Sequence, residues 1–254
     1  MLRSLKSLPC NGFPCTGGAA NNDRQLTTDQ PVKRVVLLLQ PIRNTYTNLY
    51  HGEKFNSITH LIGSALSVAG LSMLVTLAVV QGDPWKVVSF SVFGATLVLL
   101  YGSSTIYHSV RSPRAKALLQ KLDHNAIYML IAGTYTPIAL VTLRGPWGWT
   151  LFGLSWALAL LGIAQELTLG RRTRRLSMLL YVLMGWLVVI AIKPLAHAMP
   201  LAGMVWLALG GIVYSLGIYF YLNDTRARHY HGIWHLFVLG GSFCHFMCVL
   251  LYVA

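Results

Sequence analysis

Seven apolar runs punctuate the chain, at roughly 57–80, 86–108, 122–143, 149–169, 176–196, 201–222 and 231–254. Each is about 20 residues long, and at about 1.5 Å of helix rise per residue each reaches across the roughly 30 Å hydrocarbon core of a bilayer. The connections between them are short, with no soluble insertion and no internal repeat of the inverted-transporter kind. The pattern predicts an all-α membrane protein, a bundle of seven transmembrane helices over 53–254. The third and fifth runs are the least uniform, because Asp123, His124 and Asn125 open the third and Lys193-Pro194 interrupts the end of the fifth. Residues 1–52 are polar and rich in Asn, Thr, Gly and Pro. Their one apolar stretch, Val35–Leu39, is too short to cross a membrane, and the segment reads as a flexible cytosolic tail.

Composition agrees with this pattern: 55% of residues are hydrophobic, 11% are charged, and the mean hydropathy is +0.56. A disordered chain and an ordinary soluble domain are both excluded. The formal charge of +13 would suggest nucleic acid in a soluble protein. Here the cations lie between the apolar runs and do not interleave with base-stacking aromatics, so the expected partners are membrane lipids and not nucleic acid. Counted on alternate sides, seventeen Lys and Arg fall on one face, in the tail, at Arg111–Lys121, at Arg171–Arg175 and at Arg226 and Arg228. Only Lys86, Arg144 and Lys193 fall on the other, beside Trp85, Trp147 and Trp149. Basic residues are retained in the cytoplasm, which predicts a cytoplasmic N-terminus and an extracytoplasmic C-terminus in the cell (inner or plasma) membrane. That topology is opposite to G-protein-coupled receptors and microbial rhodopsins, and the last segment lacks the lysine that a retinal Schiff base needs. Cys10, Cys15, Cys244 and Cys248 form no disulfide framework, and the last two read as small apolar helix residues.

Ionisable side chains inside spanning segments cost about 2.5–3.5 kcal/mol each at the helix centre, so their positions carry information. Glu53, Asn56 and His60 share a face where the first helix enters. Ser104 and His108 are i, i+4 near the end of the second, Asp123 opens the third, and His231 and His235 are i, i+4 at the start of the seventh. These positions all lie at the predicted cytoplasmic surface. His108, His231 and His235 can close on one metal ion as three imidazoles with a fourth position for water, the open arrangement of a catalytic zinc site. Asp123 then serves as the outer acceptor that holds this water or takes its proton. Competing readings exist for most of these groups: snorkelling for the His231/His235 pair, and helix capping for Glu53 and Asn56. His245, about 15 Å deeper, is either a further polar partner or a hydrogen-bonded bundle histidine. Glu166 reads as an ion-pair partner of the Arg171–Arg175 cluster, and no role attaches to His124.

Together these motifs, Glu53-x2-Asn56-x3-His60, Ser104-x3-His108, Asp123 and His231-x3-His235 with His245, closely resemble those of the hemolysin III branch of the progestin and adipoQ receptor family. The resemblance covers roughly residues 50–254, and residues 1 to about 50 fall outside it. It implies zinc held by His108, His231 and His235, with Asp123 and Ser104 close to the water, on seven helices with the N-terminus inside. For activity it implies three alternatives: zinc-dependent hydrolysis of lipid amide or ester bonds in membrane lipid homeostasis, a pore-forming cytolysin with a structural zinc, or a receptor-like sensor. Short outer loops offer little surface to a protein hormone. Ionisable groups crowded at one end favour a cup over a conduit.

The charge asymmetry predicts that a reporter fused after Ala254 is active on the extracytoplasmic side and one fused at the N-terminus on the cytoplasmic side. The opposite result would overturn both the orientation and the sidedness of the polar cluster.

Overall fold

The structure, a computed structural model, describes the backbone of residues 30–169 and 174–254 and the side chains of 53–168 and 175–254. The chain divides into two units, Met1–Thr45 and Tyr46–Ala254. The described part of the first is helical, and residues 1–29 of the expected tail, with Cys10 and Cys15, lie outside the described residues. The seven membrane spans and the candidate site belong to the second unit.

Every described regular element is helical: α1 (Gln30–Gln81), α2 (Pro84–Ser109), α3 (Pro113–Pro137), α4 (Gly145–Leu169), α5 (Arg174–Gly185), α6 (Ile192–Ala198), α7 (Leu201–Leu222) and α8 (Tyr230–Tyr252). A π-turn, Ile138–Leu143, continues α3, and a 3-10 turn, Leu187–Ala191, joins α5 to α6. Seven spans among the described residues are long and apolar enough to cross a bilayer: Glu53–Gln81, Pro84–Ser109, Pro113–Leu143, Gly145–Thr168, Arg175–Ala198, Leu201–Leu222 and Tyr230–Tyr252. Their outer faces carry bare aliphatic side chains, with Val80 80% and Leu201 77% exposed. Such a surface suits lipid, and the helices satisfy their backbone polar groups internally as the bilayer requires. The protein is a multi-pass membrane protein with an all-helical, seven-span bundle.

Two spans differ from the sequence reading. The third begins at Pro113, not near 122, so Asp123 lies well inside α3 and does not open it. Proline at the first helical position and Ser112 at the cap set this start. The stretch Arg114–Lys121 reads as a loop because its charges outweigh its leucines, yet nothing in it breaks a helix. The fifth span does break, but ahead of Lys193-Pro194, at Gly185 and Trp186. A proline ring collides with the carbonyl four residues earlier, here Ile190, so the turn leading into Pro194 tightens to 3-10 geometry. Both irregular turns lie well away from the Pro113 and Arg174 ends of their spans.

The bundle is sewn together by aromatic packing and close helix contacts. Phe90, Phe93, Tyr101 and Tyr128 are fully or almost fully buried in one apolar core. On α7, Gly203, Gly210 and Gly217 recur every seven residues on the face that meets α8. Small residues at such positions let transmembrane helices approach closely enough to gain full dispersion contact. A Cβ at Gly217 would stand 2.6 Å from Phe237 Cβ and 2.9 Å from the Trp234 ring. We therefore expect Gly217→Val to push α7 from α8, costing about 1–3 kcal/mol. Thermal unfolding in detergent measures this, and an unchanged melting temperature would show that the contact is looser than described.

Candidate metal centre

The polar positions of α1, α2, α3 and α8 meet at one end of the bundle. On α8, His231 and His235 are one turn apart and share a face. On α2, His108 lies in the last turn. One ring nitrogen from each of these three imidazoles lies within 4.8 Å of the others, so the trio could hold a metal ion. Ring centroids are 5.3 Å apart for His108 and His231, 5.0 Å for His108 and His235, and 4.8 Å for His231 and His235. An ion bound at about 2.0–2.1 Å draws three such nitrogens to roughly 3.4 Å of one another, a contraction that small ring rotations supply.

Hydrogen bonds sort the ring nitrogens. His235 Nδ1 donates to the Asn56 carbonyl at 3.2 Å, with the Thr59 hydroxyl 3.4 Å away. His231 Nδ1 lies 3.3 Å from Asp224 Oδ2. Both nitrogens of His108 are buried without a hydrogen bond among the described residues. A buried imidazole left so costs about 1–3 kcal/mol, and a bound cation would relieve it. The donor set, all imidazole, also suits a borderline transition metal and not Ca2+ or Mg2+. The residues present therefore fit a metal ion on burial, donor type and spacing.

The remaining sequence candidates fall around this trio. His60 stacks on His235 with ring centroids 3.6 Å apart and planes inclined by 16°, and its edge meets Tyr101. It is 4% exposed, and neither of its nitrogens has a hydrogen bond among the described residues. Ser104, fully buried, turns its hydroxyl toward the Asp123 carboxyl without a hydrogen bond of ordinary geometry. Glu53 is buried and pairs with Lys116 Nζ at 2.6 Å, tying α1 to α3. The lysine also sits 4.8 Å over the Tyr107 ring, on the helix that carries His108. Asn56 acts through its backbone carbonyl, the acceptor for His235. His245 lies apart from the cluster, with Nε2 donating to the Leu207 carbonyl at 3.1 Å, as expected of a hydrogen-bonded bundle histidine.

Three features went unread in the sequence. Asp224, in the turn before α8, is the carboxylate facing His231. It is the one acidic residue between the last two spans, a signal masked by Arg226 and Arg228 beside it. Glu166 does not wait on the arginine cluster for a described partner: Oε1 lies 3.0 Å from His124 Nδ1, and Ser177 donates to Oε2 at 3.1 Å. The side chains of Arg171, Arg172 and Arg174 lie outside the described residues. Tyr181 donates to the His124 carbonyl at 3.1 Å, so α4 and α5 brace α3 one residue from Asp123. Cys244 and Cys248 are free and buried, and Cys248 Sγ contacts the Gly203 carbonyl at 3.3 Å, in keeping with a packing role.

Hemolysin-3 of Bacillus cereus is 47% identical over 207 residues, 82% of this chain and 94% of that protein. The Hemolysin-3 homolog of Bacillus subtilis (strain 168) is 48% identical over 197 residues, 78% of this chain and 92% of its own length. More distantly, the human monocyte to macrophage differentiation factor is 23% identical over 218 residues, 84% of this chain and 89% of that protein. A family model described as Haemolysin-III related matches residues 48–246, a range that includes His108, His231 and His235, and the chain belongs to that family.

Proposed function

We propose that this integral membrane protein binds zinc and acts in membrane lipid homeostasis as a zinc-dependent hydrolase of lipid amide or ester bonds. In this reading the cluster lies at the cytoplasmic face. The observation that carries it is the approach of the His108, His231 and His235 imidazoles to one another, two of them buried and His231 partly exposed, at one end of the bundle. His108, His231 and His235 would hold the ion, and zinc when bound supplies Lewis acidity to an acyl carbonyl and lowers the pKa of a water.

The chain's own residues supply the rest. Asp123 is the carboxylate placed to accept a proton at its free oxygen as water adds to the acyl carbon. It returns that proton to the departing nitrogen or oxygen as the C–N or C–O bond breaks, so that one water is consumed and an acid and an amine or alcohol are released. Ser104, buried near that carboxyl on α2, would restrict its position. Glu53 and Lys116 neutralise each other at the rim and hold α1 and α3 together there. The apolar side chains of the surrounding helices keep bulk water from the site and match an acyl chain that arrives from the bilayer.

The names of the Bacillus relatives support a second reading, a cytolytic pore with a structural zinc. A conduit needs a polar stripe from end to end. Beneath the cluster the polar groups of Tyr101, Tyr214, Ser242 and His245 bond to one another or to backbone, and Phe90, Phe93 and Leu97 fill the core beyond them, which favours the cup.

Two outcomes are expected. Detergent-purified protein carries about one zinc per chain by elemental analysis, and His108→Ala, His231→Ala and His235→Ala each lose it, because two imidazoles are too few for tight retention. Full zinc content in all three variants would refute the ligand assignment. Asp123→Asn keeps the metal, with affinity lowered by about 10 to 100-fold at most, but lowers release of fatty acid from reconstituted lipid amides by about 100 to 10,000-fold. Wild-type protein that keeps its zinc, leaks ions across liposomes and cleaves neither amide nor ester would leave the pore as the better account.

A further inference from the structure

The turn between α7 and α8 carries a carboxylate aimed at the metal centre. Asp224 Oδ2 lies 3.3 Å from His231 Nδ1, with the carboxylate side chain 17% and the imidazole 28% exposed. An ionised carboxylate can only accept a hydrogen bond. The contact therefore places the proton of His231 on Nδ1 and leaves Nε2 with its lone pair free. His235 reaches the same state by another route, since the Asn56 carbonyl that faces its Nδ1 at 3.2 Å is also an acceptor only. Both α8 imidazoles thus keep Nδ1–H outward and present Nε2 to the centre. A backbone carbonyl does this for one, and a side chain that can be substituted does it for the other.

The turn does not depend on this carboxylate for closure. Backbone bonds Asn223 N to Tyr219 O, Arg226 N to Asn223 O and Tyr230 N to Ala227 O already fold it, at 3.2, 2.9 and 3.2 Å. We propose that Asp224 is a positioning residue that fixes the tautomer and ring orientation of His231, so that Nε2 is delivered to the three-histidine centre. It touches neither ion nor substrate. By holding the ring in one orientation, as acceptors behind metal-binding histidines do, it sets the affinity of the centre. The assignment rests on the zinc reading above, and its ligand is a nitrogen-seeking divalent cation.

The test uses full-length protein in detergent, stripped of metal and titrated with zinc against a chromophoric chelator, and separately with Co2+ followed by visible absorption. Asp224→Ala is expected to bind zinc about 10 to 100-fold more weakly than wild type and to shift the cobalt bands, with the thermal unfolding of the metal-free protein unchanged. Asp224→Asn, whose amide oxygen still accepts from Nδ1–H, is expected to restore the wild-type cobalt bands and most of the affinity. Equal zinc affinity and equal cobalt spectra for Asp224→Ala and wild type would overturn the assignment. So would an asparagine variant no better than alanine. Should the alanine variant fail to fold, Asp224→Glu replaces it, because displacing the carboxylate by one methylene must move the cobalt bands if Asp224 orients the ring, and unchanged bands overturn the idea. Wild-type protein that takes up neither zinc nor cobalt would instead refute the metal reading itself, an outcome the unsubstituted sample alone reports.

Discussion

Polar groups within a membrane bundle must be satisfied by the bundle, and the histidine cluster is one place where the described residues do not do so with their own atoms. No water competes for them in hydrocarbon, and each unpaired group costs several kcal/mol or forces a partner to be found. His108 is buried with both nitrogens unpartnered and faces two α8 imidazoles whose Nδ1 atoms are already engaged. Everything else about the site follows from this deficit. Helix phase gathers nitrogen lone pairs at a point, and short turns such as the one bearing Asp224 hold the rings still while something else completes them.

Regular backbone lies where the site is, and irregular backbone lies away from it. The last turns of α2, the first half of α3 and the first turns of α8 are continuous α-helix. The π-turn at Ile138–Leu143 and the 3-10 turn at Leu187–Ala191 occur farther along their spans. Arg144, left at φ 43° after the π-turn, is held by an ion pair with Asp83 at 3.0 Å, so the strain is contained at that end. Straight helices fix Cβ directions to within a few degrees per turn, and a trio of imidazoles converging from two elements needs that accuracy.

Much of this was legible because two periodicities are hard to disguise. A 20-residue apolar run announces a span, and His231 with His235, or Ser104 with His108, announce a shared face through their i, i+4 spacing. What stayed hidden depended on contacts between elements. Arg114–Lys121 reads as a loop because composition cannot tell a charged amphipathic turn from a connection, which puts Asp123 at a helix start in the sequence. Glu166 reads as a partner of the arginines near it in sequence, most of whose side chains lie outside the described residues, and its described partners, His124 and Ser177, come from other helices, a pairing that spacing does not reveal. Asp224 could not be paired with His231 without knowing how the α7–α8 turn closes. For Glu166 the deciding quantity is the direction in which the side chain leaves its helix, for Asp123 the start of α3, and for Asp224 the closure of a turn.

The same criterion of polar satisfaction separates two kinds of buried polar group that sequence reading treats alike. His60, His108, His235 and His245 are all imidazoles on membrane-spanning helices, and hydropathy gives no ground for ranking them. His245 donates to the Leu207 carbonyl, and near it Tyr214 and Tyr101 both bond to Ser242, at 2.6 and 2.7 Å. This deeper network is closed on itself and joins α2, α7 and α8 as interhelical glue. His60 and His108 lack any such closure, and both lie against His235. A protein can keep unsatisfied imidazoles in its interior only if occupancy of the site repays their burial. The contrast between a completed network and an incomplete one a few turns away is thus the physical reason for placing the chemistry at the histidine end and structural support in the middle.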